Sequence, residues 1–350
     1  MSGGVDSAVA AALLVRQGHE VLGAFMHLWS EDDVPDKREN ACCSTAGMED
    51  ARRTAAQLGI PLYVLNVRDR FKEEIVEPWL DASFAGQTPN PCLDCNRRIK
   101  IGHLFTRARA LGCSLVATGH YARRETDESG RIHLARAADA RKDQTYFLAR
   151  LTEEQLETTL FPLGDLTKDE ARAYAREFGL AVSAKRESQE LSFIADDIPS
   201  FLTRHADGRL RPGRVLDLDG TEYPRPHGGL ALYTIGQRRG LPVSGTPEPR
   251  YVVGRDLASN TLLVGDERAL LREACTVSDL VLRHVPGTGT HRLEVQIRSR
   301  SAAASADVRF DGGHAEVRFI APQRAITPGQ AAVFYDGRRC LGAGIIASAA

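Results

Sequence analysis

The feature that most constrains this chain stands at its start: Ser2-Gly3-Gly4-Val5-Asp6-Ser7, followed at once by the apolar run Ala8 to Val15. Adjacent glycines let backbone N–H groups converge, because glycine takes positive φ without the Cβ penalty. Ser7 to Gln17 reads as an amphipathic helix, closed by Gly18 at the left-handed position past its end. The start of that helix adds positive potential, and together these features make a cradle for phosphate. The hydroxyls of Ser2 and Ser7 would donate to phosphate oxygens. Asp6 repels phosphate, so its expected task is to hold Mg²⁺ or a neighbouring backbone amide. The loop lacks the Lys of G-x-x-x-x-G-K-[ST] and the spacing of G-x-G-x-x-G. A tight turn that merely caps a helix is the plain alternative.

A length of 350 residues suits two or three domains. The formal net charge of −1 means that a nucleic-acid partner must be met by local basic patches. The apolar run Ala8 to Val15 is eight residues long, too short for a membrane span, and no secretion leader opens the chain. A cytoplasmic location without a membrane partner is expected. Seven cysteines are too few for a disulfide scaffold. The grouping Cys42-Cys43, Cys92 and Cys95 points to chemistry or metal instead.

The first half alternates helix and strand. Strands are expected at Val21–Phe25, Leu62–Val67 and Ser114–Thr118. Helices are expected from an N-cap at Ser44 to Leu58, over Arg70–Phe84, over Asn96–Leu111, and from the capping box Thr167–Glu170 to Gly179. That alternation calls for a parallel sheet with helices on both faces. The strand that should lead into the glycine loop is missing ahead of Ser2. After about residue 205, short β-like runs replace helical periodicity, at Arg214–Leu218, Tyr251–Arg255, Thr261–Val264, Arg292–Arg298, Ala315–Phe319 and Ala331–Tyr335. One or two small β-barrels are expected there.

Thr88-Pro89-Asn90-Pro91-Cys92-Leu93-Asp94-Cys95-Asn96 leads into a helix carrying Arg97, Arg98 and Lys100. A cysteine at a helix N-terminus beside cations is expected to have a lowered pKa, and the thiolate is the nucleophilic form. The Ser2–Ser7 loop matches the S-G-G-x-D-S loop of the ATP pyrophosphatase superfamily, which grips the pyrophosphate released from ATP. Together with Ala117–Tyr121, Lys142–Tyr146, Gly23–Trp29, Glu187–Ile194, Tyr233–Leu241 and Pro328–Ile346, these motifs make the chain resemble the tRNA-specific 2-thiouridylases over nearly all its length.

The resemblance implies an α/β N-terminal domain with a parallel sheet, adenine nucleotide alpha-hydrolase-like, over residues 1–204. Two small mostly-β domains would follow: a central adaptor over 205–270 and a C-terminal tRNA-binding barrel over 271–350. It implies adenylation of the C2 oxygen of a wobble uridine by ATP with Mg²⁺, then displacement of AMP by sulfur to give 2-thiouridine. Partners implied are the anticodon stem-loop of tRNA and a sulfur donor such as a cysteine desulfurase or sulfur carrier. Ser2, Gly3, Gly4, Val5, Asp6, Ser7, Met26 and Gly119 match ATP positions. Asn90, Pro91 and Cys92 fall where the family touches the flipped base. His120, Lys142, Asp143, Gln144, Arg298, Ser299 and Gln330 fall at tRNA contacts, and Cys95 matches the nucleophile.

Two departures stand out. The family pattern has an acid at the position of Cys92, and a second, persulfide-carrying cysteine where this chain has Ser192. A hydroxyl cannot carry a persulfide. Three readings of the remaining thiols stay open. Cys92 replaces the lost cysteine and exchanges sulfur with Cys95; or one of Cys42/Cys43 joins Cys92 and Cys95 around a [4Fe–4S] cluster; or four thiolates hold structural zinc or are inert. Cys113, Cys275 and Cys340 read as packing residues.

Basic pairs recur at Arg97-Arg98, Arg238-Arg239, Arg298/Arg300 and Arg338-Arg339, and the glycines around Gln237–Arg239 suit close approach of a backbone. An anticodon loop fits a base that must leave its stack. Two rivals share features of the chain. Amidotransferase-type ligases use the same loop but need a glutaminase. A non-catalytic RNA-binding module would need only the β domains.

Overall fold

The computed structural model describes residues 1–31, 45–183, 185, 191, 193–285 and 289–350. They form two compact units: Met1–Val76, Cys92–Asp196 and Arg338–Leu341 in the first; Glu77–Pro91, Asp197–Gly337 and Gly342–Ala350 in the second.

In the first unit the glycine loop runs into α1 (Val5–Arg16), where Val5 and every residue from Ala8 to Leu14 are buried. The helix is therefore not the amphipathic one expected. A run without a polar side chain offers no face to water, so α1 is enclosed by neighbouring elements. Burying each of Val9, Leu13 and Leu14 contributes about 1.5–3 kcal/mol.

The strand β1 (Gly23–His27) and, after α2 (Thr45–Leu58), the strand β2 (Leu62–Asn66) pair in parallel, Gly23 opposite Leu62 and His27 opposite Asn66. The N-cap expected at Ser44 lies outside the described residues. Gly59, at φ +67°, ends α2 as expected. The Met1 amino group donates to Ala24 O, beside β1. β3 (Val116–Ala117) is followed by a hairpin of β4 (Arg123–Thr126) and β5 (Ile132–Ala135), and pairs in parallel with β6 (Thr159–Leu160). The expected parallel pairing is present, but among the described residues it forms two two-stranded pieces rather than one sheet. α3 (Lys168–Glu177) begins on the expected Thr167–Glu170 capping box and places Ala171 and Ala175 in the core shared with Val5, Val9 and Leu13 of α1.

The second unit holds a four-stranded sheet in the order β8 (Glu222–His227), β7 (Gly213–Asp217), β10 (Thr261–Gly265), β9 (Tyr251–Asp256). Val215, Val252, Leu262 and Val264 fill its core. β11 (Leu271–Leu282), β12 (Thr290–Gln296), β13 (Ala304–Asp311), β14 (His314–Arg324), β15 (Ala331–Asp336) and β16 (Arg339–Ala349) follow. Their order β11-β14-β13-β12-β15-β16 is closed by pairing of β11 with β16, Val277 opposite Ile346, which makes a barrel. Val277, Val295, Val308, Val317, Phe334 and Ile346 are all enclosed in its core. Among the described residues no helix is long and apolar enough to cross a membrane.

Candidate active site

Gly3 has φ +71°, and a Cβ there would stand 2.2 Å from Gly47 O, so the turn into α1 admits only glycine. Gly4 is the N-cap, and no side chain occupies the first N–H groups of the helix. A helix start without a side-chain cap leaves N–H groups for an anion to satisfy. The two serines brace the loop: Ser7 Oγ donates to Gly4 O at 3.0 Å and accepts from Ser2 N–H at 3.1 Å, with Ser2 Oγ 3.2 Å away.

Two lysines hold this loop from distant parts of the sequence. Lys168, the first residue of α3, places Nζ 2.7 Å from Asp6 Oδ1, and Tyr121 OH donates to the same oxygen at 3.0 Å. Lys185 Nζ donates to Gly3 O at 3.2 Å and to Asp50 Oδ2 at 2.7 Å. An isolated Asp6 carboxylate would repel a phosphate in the cradle; Lys168 offsets that charge at contact distance. The lysine is buried, with 8% of its side chain exposed against 29% for Asp6. Lys168→Met should therefore destabilise the fold by about 1–3 kcal/mol, by breaking a mostly buried, charge-assisted hydrogen bond. Urea unfolding measures this, and an unchanged midpoint would contradict it.

The turn at Gly119 packs directly on the loop, since a Cβ on Gly119 would lie 2.7 Å from both Asp6 C and Ser7 N. His120, next in sequence, has Nδ1 2.8 Å from Thr118 Oγ1. Desolvation, with Lys100 adding, lowers its pKa to about 3. It is neutral at physiological pH, a hydrogen-bonding group rather than a cation. Between the ordinary imidazole value and about 3 the unfolded chain takes up a proton here that the folded chain refuses. The stability from this group is complete above the ordinary value and drains as pH falls. Over about pH 7 to 4, His120→Gln should lose less stability in urea unfolding than the parent. Equal pH slopes would count against it.

Cys92 and Cys95 lie in one helical run: Pro91–Asp94 is α-helical, Cys95–His103 is π-helical and Leu104–Ala110 is α-helical again. The helix thus starts at Pro91, earlier than the expected Asn96, because proline's fixed φ suits a first helical position. Three residues apart, the two thiols share a helix face. Cys95 is buried at 6% exposure and Cys92 is half-buried. The wider π turn leaves Arg97 O to accept from Gln155 Nε2 at 2.7 Å, and a Cβ on Gly102 would meet that carbonyl at 2.6 Å. Such turns recur at functional sites. Asn96 is buried and donates to Phe147 O at 3.1 Å, while Asp94 lies 3.6 Å from the buried Arg150 guanidinium.

Family models match nearly the whole length in three pieces: the tRNA methyl transferase HUP domain over residues 1–196, the tRNA methyl transferase PRC-barrel domain over 199–266, and the aminomethyltransferase beta-barrel domain over 272–346. The tRNA-specific 2-thiouridylase MnmA of Moorella thermoacetica is 46% identical over 356 residues, covering 100% of this chain and 99% of its own. The chain belongs to the tRNA-specific 2-thiouridylase family. That family consists of tRNA sulfurtransferases. The protein of the same name from Chloroflexus aggregans is 47% identical over 99% of this chain and 97% of its own, and that from Clostridioides difficile 43% over 99% and 96%. A solved structure titled NMN synthetase from Francisella tularensis superposes only loosely, at TM-score 0.32 and 16% identity over 54% of this chain and 64% of that one.

Against the family pattern, the first unit brings Ser2 to Ser7, Gly119 and His120 together. Met26, half-buried on β1, sits opposite Leu65 in the strand register. Gln144 is tied to Tyr121 in both directions, through Gln144 N–H to Tyr121 O and Tyr121 N–H to Gln144 Oε1, each at 2.9 Å. Asp143 accepts from Ala137 N–H at 2.9 Å and Thr145 Oγ1 at 2.6 Å, so it shapes the loop that carries the half-buried Lys142. Asn90, Pro91, Arg298, Ser299 and Gln330 belong to the second unit. There Arg298 donates to Arg324 O at 3.1 Å, and Gln296 Nε2 holds the carbonyls of Arg298, Ser299 and Ser301. Cys42, Cys43 and Ser192 lie outside the described residues. Among the described residues no three His, Cys, Asp or Glu side chains gather to hold a metal ion. Nothing in the sequence marks Lys168, Lys185 or Tyr121 as partners of the glycine loop except their place in short motifs.

Proposed function

We propose that the chain binds ATP in the Ser2–Ser7 cradle, adenylates the C2 oxygen of a wobble uridine in tRNA, and replaces that oxygen with sulfur. The observation that carries this reading is the cradle itself: an uncapped helix start behind a glycine-only turn, with Asp6 neutralised by Lys168. In the first step the uridine O2 attacks the α-phosphorus, the base loses its N3 proton, and pyrophosphate leaves. Amides at the start of α1 would receive the charge that develops on pyrophosphate. Asp6 is the loop carboxylate that would hold a Mg²⁺ ion, which would offset phosphate charge.

A carbonyl oxygen leaves poorly and AMP leaves well, so adenylation opens C2 to sulfur. The half-buried Cys92 suits acceptance of sulfur from a donor, and the buried Cys95, three residues on, suits exchange with it. Attack of the terminal persulfide sulfur on C2 expels AMP. The second thiol then cleaves the sulfur–sulfur bond to the base, freeing 2-thiouridine and leaving a Cys92–Cys95 disulfide for an external thiol to reduce. Two thiols alone cannot hold a cluster, and the third ligand that a [4Fe–4S] or zinc site needs falls on Cys42 or Cys43.

ATP–pyrophosphate exchange tests the first half. Exchange should rise severalfold when tRNA bearing an unmodified wobble uridine is added, and a rate indifferent to tRNA would remove the adenylation reading.

A further inference from the structure

The segment Gln87–Pro91, which leads the chain into the cysteine helix, is fixed within the second unit by bonds that the proposed chemistry does not use. Thr88 donates its N–H to Pro328 O at 2.9 Å. Its carbonyl accepts from Gln330 Nε2 at 2.6 Å, and its hydroxyl accepts from the Arg255 guanidinium at 3.1 Å. One residue of β9 and the turn before β15 thus hold the whole polar complement of Thr88. Trp79 Nε1 donates to Pro89 O at 3.2 Å, and the Trp79 ring stands edge-on to Phe201 with centroids 5.9 Å apart. The approach from the barrel is tight: Gly329 has φ +92°, and a Cβ there would be 2.7 Å from Thr88 N. A second donation from Arg255, to Tyr233 O at 3.0 Å, fixes its guanidinium.

Connecting loops ordinarily leave their polar groups to water and tolerate motion. This one has them taken up by a strand of the four-stranded sheet and by the turn before β15, four residues before Cys92. We propose that Thr88 is a positioning residue for the cysteine helix. The bonds within the second unit hold Thr88 and so restrain Pro91, the first residue of the helical run that continues to Cys92 and Cys95. The inference rests on the thiolation reading for its purpose: RNA contacts expected at Arg298 and Ser299 lie on the body that also holds the entry to the thiols. Gln330, expected at the RNA, also holds Thr88 O.

Thr88→Val keeps shape and backbone bonds but removes the acceptor for Arg255; Thr88→Ser keeps the hydroxyl. With tRNA and ATP saturating, Thr88→Val should slow single-turnover thiolation by about 10- to 100-fold, the usual penalty for a displacement near 1 Å. Its tRNA Kd and melting temperature should stay near the parent's, and Thr88→Ser should recover the rate to within about threefold. Arg255→Lys should slow the reaction too, and the double variant should be no slower than the slower single one. Undiminished rate in Thr88→Val, failure of Thr88→Ser to rescue, or multiplicative effects in the double variant would each overturn the assignment. Should Thr88→Val not fold, Arg255→Lys carries the same test.

A readout independent of turnover is alkylation of Cys92 by iodoacetamide in the full chain, mapped by mass spectrometry without ATP or tRNA. Thr88→Val should shift that rate by about threefold or more and Thr88→Ser should not. An unshifted rate overturns the positioning role. Absence of 2-thiouridine from the parent chain instead overturns the thiolation reading, and alkylation then decides the role of Thr88 alone.

Discussion

Cys95→Ala should abolish 2-thiouridine formation, by about a thousandfold or more, while tRNA-stimulated ATP–pyrophosphate exchange stays within about threefold of the parent. In the proposed reaction the two half-reactions use different parts of the first unit. Exchange needs the amide cradle at the start of α1, with Asp6 held by Lys168 and Tyr121. Sulfur transfer needs a thiol, and alanine removes the nucleophile while leaving the helix a good former. Cys95 is only 6% exposed, so a small side chain there leaves a void rather than a clash. The cost in stability should be modest, about 1–2 kcal/mol. Cys92→Ala should show the same separation, because each thiol completes the other's step. Exchange lost together with thiolation would mean that the thiols help to seat the base. Thiolation surviving in Cys95→Ala would remove Cys95 from the sulfur path.

The second large effect is expected at Gly119. An alanine there must place its Cβ within 2.7 Å of Asp6 C and Ser7 N, both backbone atoms at the head of a buried helix. Neither atom belongs to a flexible side chain, so the loop or the 117–121 turn has to move. Overpacking of this kind costs about 1–3 kcal/mol. Displacing the cradle by about 1 Å should cost about 100-fold in ATP–pyrophosphate exchange. Gly228→Ala is the control, since its Cβ would meet only Leu232 Cδ1, at an ordinary 3.5 Å. Exchange in Gly119→Ala equal to that in the control would show that the loop beside Gly119 is not the ATP site.

The glycine loop was legible in the sequence because its physics is local: adjacent glycines, a following helix and two hydroxyls lie within a few residues. Its electrostatic completion was not. Asp6 and Lys168 are 162 positions apart, and Lys168 sits in a capping box whose local role accounts for the neighbouring residues. The Lys168 and Tyr121 partners of Asp6 come from distant segments, so the loop itself could not announce them. The cysteine pair was visible as C-x-x-C, but the π turn behind it has no residue signature. It depends on Gln155 reaching Arg97 O and on Gly102 leaving room for that carbonyl.

Among the strands, β8 escaped notice because Pro224 and Pro226 read as turn residues. It is an edge strand, where a missing N–H costs no ladder bond. The expected amphipathic face on α1 failed for the opposite reason. An all-apolar run carries no directional signal, and only tertiary packing decides that every side is covered.

The most direct measurement of the central claim incubates the chain with ATP, a sulfur donor and tRNA bearing an unmodified wobble uridine, and counts products. Nucleoside mass spectrometry follows 2-thiouridine, and chromatography follows AMP and pyrophosphate. All three should appear in equal amounts, and none should accumulate without tRNA. Thiouridine formed without matching AMP, or AMP released with no thiouridine, would contradict it.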